Sequence, residues 1–298
     1  MAKKRDIVIG ILIGFSFLVT FIFFAMMFFG AFVSEDGLSL SGLSSKVAIV
    51  EINGAINESE SIVKQLKKWG KSSGVKAIVL HIDSPGGAVA PSQEIYDEVL
   101  RVREGEHKVV VASMSSMAAS GAYYIACGAE KIMANPGTLT GSIGVIIQFY
   151  TAGKLMEKIG IEIERVKSGE LKDVGSFDRK LTDNERMMLS AVVMDTYAQF
   201  VAAVSEGRGL EKEKVQKLAD GSIFTGKQAL GFGLVDTLGS FEDAVLYAAD
   251  LAGLKGEPNI VKDEKPKQGI LDLIGLTMNK VKEAADVDLG GPRVMYLY

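Results

Sequence analysis

Ser120 lies in Ala118-Ala119-Ser120-Gly121-Ala122-Tyr123, at the head of a small-residue run that reads as a helix. Upstream, Asp83-Ser84-Pro85-Gly86-Gly87 follows directly on an apolar, strand-like run over residues 77–82. A serine at a helix start sits among backbone N–H groups without intrahelical acceptors, at the positive end of the dipole. A Gly-Gly turn at a strand end lets a further amide approach a bound molecule with no side chain between them. A hydroxyl nucleophile and two amide donors for an oxyanion are the parts that acyl transfer needs. The two segments predict a serine hydrolase.

Such a serine needs a base. The chain has two histidines, and both precede the serine. His81 falls inside the strand run and reads as a residue facing a neighbouring element. His107 falls in the polar turn Glu104-Gly105-Glu106-His107-Lys108 and reads as solvated. Lysine is the other base that serves a serine nucleophile. With a reference pKa of about 10.4, roughly 1 lysine in 2500 is neutral at pH 7, so a lysine base needs burial or a nearby cation. Lys64, Lys67, Lys68 and Lys71 read as a solvated helix face, as do Lys212, Lys214 and Lys217, and Lys154 and Lys158 as the outer side of a short helix. Residues 166–176 differ, forming a Gly- and Ser-punctuated loop between an expected strand at 161–166 and a long helix. Loops of that kind carry catalytic groups. Spacing leaves two lysines open there, Lys167 and Lys172.

With these segments in place the chain resembles the signal peptide peptidase A family in its short, single-catalytic-domain form, and more distantly the Clp protease proteolytic subunit. The likeness covers roughly residues 46–240. It rests on Asp83-Ser84-Pro85-Gly86-Gly87, on residues 116–126 around Ser120, on Leu139-Thr140-Gly141-Ser142-Ile143-Gly144-Val145 and on Gly233-Leu234-Val235-Asp236, in that order. The resemblance implies a Clp/crotonase-like α/β spiral of βαβ units and a Ser-Lys dyad. In that family the base is the lysine of a Ser-Gly-X-X-Lys-Asp segment, here Ser168-Gly169-Glu170-Leu171-Lys172-Asp173. The dyad it implies is Ser120 as nucleophile and Lys172 as general base, with Ser142 orienting the amine and the amides of Gly87 and Gly121 binding the oxyanion. It further implies hydrophobic peptide substrates, above all remnant signal peptides, and a homo-oligomeric dome, an octamer in the short form, in which serine and lysine can come from neighbouring subunits.

The N-terminus carries a second signal. Lys3, Lys4 and Arg5 precede 28 uncharged residues, 7–34, rich in Ile, Leu, Phe and Met. About 20 apolar residues span a bilayer core, and a cleaved leader has a shorter apolar region with a small-residue site. Residues 7–33 therefore read as one uncleaved transmembrane signal anchor. Positive charge before it and Glu35 and Asp36 after it place residues 1–6 in the cytoplasm and the remainder in the periplasm or outside the cell. Residues 34–45 read as a linker, 46–262 as the peptidase domain and 263–298 as a tail with a short amphipathic helix at 269–284.

Composition excludes several classes. A net charge of −4 argues against nucleic-acid binding, the single Cys127 rules out an intrachain disulfide, and no cysteine–histidine cluster has metal-ligand spacing, so no cofactor or metal is expected. An acyl-CoA hydratase on the same fold would need glutamates at the oxyanion site and no nucleophile. A non-enzymatic membrane scaffold would not need serine, lysine and both glycines together.

Within the domain, strand-length runs at 47–51, 77–82, 109–112, 131–134, 143–147 and 161–166 alternate with helical patterns, which predicts βαβ units and mostly parallel sheet. Thr182-Asp183-Asn184-Glu185 is a capping box opening a long amphipathic helix to about Glu206. The apolar stretch Val294-Met295-Tyr296-Leu297-Tyr298 reads as extended. It follows Gly290-Gly291-Pro292 and has two readings, a peptide that reaches the catalytic cleft or an end that packs on its own domain or at a subunit contact.

Overall fold

A computed structural model describes residues 16, 18–24, 45–263 and 294–296. Most of the expected anchor, nearly all of the linker and the amphipathic helix at 269–284 lie outside these residues. The chain divides into two units, 1–44 and 45–298. In the first, the described residues are helical, with Thr20 Oγ1 donating to the Ser16 carbonyl at 2.7 Å and Phe21, Phe23 and Phe24 exposed.

The second unit is a mixed α/β domain. Its main sheet runs β10 (Asn259–Lys262), β1 (Lys46–Asn53), β2 (Val75–Ser84), β4 (Val109–Ala119), β5 (Lys131–Ala134) and β9 (Thr237–Leu238), all parallel. β6 (Leu139–Gly141) runs parallel to the end of β4, and β8 (Ile223–Thr225) pairs antiparallel to β6. The central strands are apolar on both sides because both faces are covered. Ala48, Val50, Ile78, Leu80 and Ile82 face one core, while Val47, Ile49, Ala77 and Val79 face a second with Ala244, Val245 and Ala248 of α8 (Phe241–Leu251).

Three of the expected strands depart from the sequence pattern. β4 continues seven residues beyond 112, through Ser113, Ser115 and Ser116, to the residue before Ser120. Polar positions are tolerated there because side chains satisfy the backbone. Asp83 accepts the Met117 N–H at 3.1 Å, and Thr138 Oγ1 donates to the carbonyls of Ser115 and Met114. The ladder with β2 shifts register at this point, and β4 exchanges β5 for β6 as its neighbour. By contrast, the strand expected at 161–166 is absent. Its alternating Ile and Glu residues pair with no strand, and Val166 is fully exposed. Nor does a single strand span 143–147: Ile143 is core, and only β7 (Ile146–Ile147) is extended.

The capping box at Thr182 is present in full and starts α5 (Asp183–Arg208), which Gly209 closes in the left-handed conformation. Among the described residues α5 is the one helix long and apolar enough to cross a membrane. Phe200, Val201, Ala203 and Val204 in its C-terminal half are buried in the domain core.

Candidate active site

The carboxyl ends of three parallel strands, β2, β4 and β6, deliver the sequence-predicted nucleophile and its amide donors to one edge of the sheet, where open α/β folds bind ligands. Ser120 sits between β4 and the short α3 (Gly121–Ala126), with φ 54° and ψ −119°. A non-glycine residue in that region carries strain of about 1–3 kcal/mol and persists only where its surroundings over-determine it. They do so here. The Ser120 N–H donates to the Gly141 carbonyl at 2.8 Å and the Ser120 carbonyl accepts from Tyr124 at 2.8 Å. Thr140 Oγ1 ties β6 to the Ala118 carbonyl at 2.7 Å, and the buried Tyr123 hydroxyl anchors α3 to the Leu234 carbonyl at 2.8 Å. The Ser120 side chain is fully buried, and its Oγ makes no hydrogen bond among the described residues.

Gly121 opens α3, so its N–H has no intrahelical acceptor. Gly87 begins β3 (Gly87–Ala88) and bridges to Ile56 so tightly that a Cβ would run into the Ile56 backbone. The turn before it is set by Ser84, whose Oγ accepts the Gly86 N–H at 3.1 Å. Ser142 follows Gly141 directly, is buried, holds φ 49° and donates its N–H to the Ser222 carbonyl at 2.7 Å. Gly141 must be glycine on two counts, with φ 82° and Phe224 at 2.6 Å from any Cβ. Beside Ser142 a cavity of about 500 Å³ is lined by Val145, Ile146, Val193, Met194 and Tyr197.

Lys172 lies elsewhere. It is exposed on the 3-10 turn Glu170–Asp173, and its amine makes no hydrogen bond or ion pair among the described residues. The chain from Gly144 to Asn184 contains no buried residue at all. Ion pairs hold its second half in shape. Lys167 pairs with Asp173 at 2.7 Å and donates to the Glu170 carbonyl at 3.0 Å. Arg165 forks onto Asp178, and Arg179 bridges Asp173 at 3.1 Å and Glu185. Hydrogen bonds from Lys167 and Arg179 hold the Asp173 carboxyl down at about 2. Arg179, with the Thr182 backbone, holds Glu185 at about 2. Of the two lysines left open by spacing, Lys167 is thus committed to an ion pair and Lys172 is not.

The remaining candidates fall away from this edge. His107 is in the exposed turn at the opposite end of β4, and the ring of His81 packs on Phe241 with centroids 4.4 Å apart. Burial pushes the Cys127 thiol up to about 12, which makes it a packing group. Among the described residues no cluster of histidine, cysteine, aspartate or glutamate has the makings of a metal site. Sequence reasoning missed the positioning role of Asp236. Its carboxylate accepts the Ile132 N–H at 2.8 Å and pairs with the buried Arg208 at 2.9 Å, next to the Leu234 carbonyl that anchors Tyr123. The signal was present in the Gly-Leu-Val-Asp motif.

The model of peptidase family S49 matches residues 103–255, and that of Clp protease matches residues 39–163. The chain belongs to the S49 peptidase family. It is a serine peptidase with a Clp-protease-like domain. A Synechocystis protein named as a candidate protease is 47% identical over 74% of this chain and 80% of its own length. Protease 4 of Salmonella typhi is 37% identical over 70% of this chain, which spans 35% of that protein. The chloroplastic serine protease SPPA of Arabidopsis thaliana is 31% identical over 81% of this chain and 38% of its own length. An Enterococcus faecium relative whose name assigns it to signal peptide peptidase SppA is 35% identical over 72% of this chain and 65% of its own length.

Proposed function

We propose that this S49 peptidase is a membrane-anchored endopeptidase that hydrolyses apolar peptides, remnant signal peptides first among them, with Ser120 and Lys172 as its dyad. The observation that carries the reading is Ser120 itself, a strained, buried hydroxyl with no hydrogen-bond partner among the described residues, beside the Gly121 amide. In the reaction the neutral Lys172 amine takes the Ser120 proton as Oγ attacks the peptide carbonyl. The amides of Gly87 and Gly121 hold the oxyanion, and Ser142 orients the amine. The ammonium then returns the proton to the leaving amine, and water releases the acyl group by the same route.

An exposed lysine is a poor base until something covers it. The segment that bears Lys172 presents Tyr150, Leu155, Ile159, Ile161 and Val166 to solvent, an apolar display of the kind that marks an interface. We therefore assign its cover to a second copy of the chain, so that each site draws serine from one subunit and lysine from the next within a homo-oligomer, an octameric dome by the resemblance. The apolar cavity beside Ser142 suits an apolar side chain. Residues 7–33 would hold the catalytic domain against the outer face of the cytoplasmic membrane, where such peptides partition. The test is mass spectrometry of peptide products from the detergent-solubilised full chain. Cleavage within apolar signal-peptide sequences, absent in Ser120→Ala, is expected. Products equal in both proteins would contradict the assignment.

A further inference from the structure

The cavity of about 500 Å³ beside Ser142 is not wholly apolar. Besides Val145, Ile146, Val193 and Met194 it is lined by Asp220, and among the described residues that line it Asp220 alone is charged. Asp220 stands in the turn Asp220-Gly221-Ser222, between the helix Lys212–Leu218 and β8. One carboxylate oxygen accepts the Ser222 N–H at 2.9 Å, and the carboxylate enters no ion pair among the described residues. Hydrogen bonds from the Ser222 side chain and backbone hold it below the ordinary carboxylate range, so it is ionised at neutral pH. The cavity therefore carries a negative charge with no cation beside it.

Backbone bonds fix this charge relative to the nucleophile. The Ser222 carbonyl accepts the Ser142 N–H at 2.7 Å, and the Gly141 carbonyl, one residue earlier, accepts the Ser120 N–H at 2.8 Å. β8 runs beside β6 with Ile223 opposite Gly141. A side chain that enters the cavity from a peptide held at Ser120 meets aliphatic and thioether walls and one carboxylate. A purely apolar side chain would match the walls but would strip water from a carboxylate that has no counter-charge, which costs free energy. Lysine and arginine match both features. Their methylene stems lie along apolar surface, and their heads give a carboxylate a charge-assisted hydrogen bond.

We propose that Asp220 is a specificity determinant, and that this cavity selects a lysine or arginine side chain within an otherwise apolar peptide. Signal peptides carry such residues where the basic n-region meets the apolar h-region, so cleavage of their remnants should cluster at that boundary. The proposal rests on, and narrows, the reading of Ser120 as a peptidase nucleophile with apolar peptide substrates.

The test uses the detergent-solubilised full chain and apolar peptides that carry lysine, or its uncharged analogue norleucine, at each position around the scissile bond. At one position lysine should exceed norleucine in kcat/KM by about tenfold. Asp220→Asn keeps an oxygen to accept the Ser222 N–H and removes the charge, and in it that ratio should fall to about one. In the parent, raising salt from about 0.05 M to about 0.5 M should shrink the same ratio, since the pair forms at an exposed carboxylate. A parent with no lysine preference at any position would overturn the proposal. So would a preference that survives Asp220→Asn. An equal loss on lysine and norleucine peptides in Asp220→Asn would overturn it too, because Asp220 would then act on the turn or on the base and not on the substrate. Cleavage that persists in Ser120→Ala would instead remove the peptidase reading on which the proposal stands.

Discussion

The two regions that supply the proposed dyad are made in opposite ways. Around Ser120 the backbone does the work: three strand ends, a strained turn and carbonyl-to-amide bonds, all closed over by apolar core. Around Lys172 side chains do it, with a chain of ion pairs running from Lys167 through Asp173 and Arg179 to Glu185, and no buried residue between Gly144 and Asn184. The first region is complete within one chain. In the proposed assembly the second is half of a structure, an apolar display bearing an amine with no ion pair among the described residues, and it would gain a catalytic environment only when covered. A nucleophile can be built by a fold alone, whereas a lysine base needs desolvation that a surface segment cannot supply to itself.

The comparison breaks most visibly at its two ends. Ser120→Ala and Lys172→Ala should each lower kcat/KM on an apolar peptide by about 10⁴-fold or more, as losses of dyad members do, with circular dichroism and melting temperature close to the parent. Wild-type turnover in Lys172→Ala would remove the second region from the chemistry. Lys167→Ala should cost far less, under about tenfold in kcat/KM, because its amine is committed to Asp173 and shapes the segment without entering the reaction. A dead Lys167→Ala beside an active Lys172→Ala would exchange the two roles.

The smallest effect concerns acid stability. Glu185 is held at about 2 by Arg179, well below its value in the unfolded chain. A depressed carboxylate contributes stability in full above its unfolded pKa, and loses it as pH falls through the folded one. The melting temperature of Glu185→Gln should lie below that of the parent above about pH 5, and the gap should close towards about pH 2. A gap independent of pH would mean that Glu185 acts through packing and its cap at Thr182.

The same contrast explains what was legible in the sequence. The fold around Ser120 could be read because its constraints are local: Gly87 and Gly141 occupy places a Cβ cannot enter, Ser120 heads a small-residue helix, and the apolar runs of β1, β2 and β5 are buried on both faces. The end of β4 escaped because Ser113, Ser115 and Ser116 break its apolar run, and the groups that satisfy it, Asp83 and Thr138, are more than 20 residues distant. The strand pattern at 161–166 misled for the opposite reason. Its alternation promises a buried face, yet a strand forms only against a partner, and among the described residues there is none beside it. Spacing alone left Lys167 and Lys172 open. The Ser-Gly-X-X-Lys-Asp resemblance pointed to Lys172, and the ion pair of Lys167 with Asp173 is a further distinction that only folded geometry shows.

That the base reaches the nucleophile from a neighbouring copy is tested most directly by mixing two dead proteins. Ser120→Ala retains Lys172, and Lys172→Ala retains Ser120, so each supplies what the other lacks. Co-assembled in equal amounts from dissociated full-length chains, they should recover roughly a quarter of parental activity, the fraction of randomly formed interfaces that unite an intact serine with an intact lysine. No recovery, in assemblies shown by tagged pull-down to contain both variants, would contradict the account and place the whole dyad within one chain.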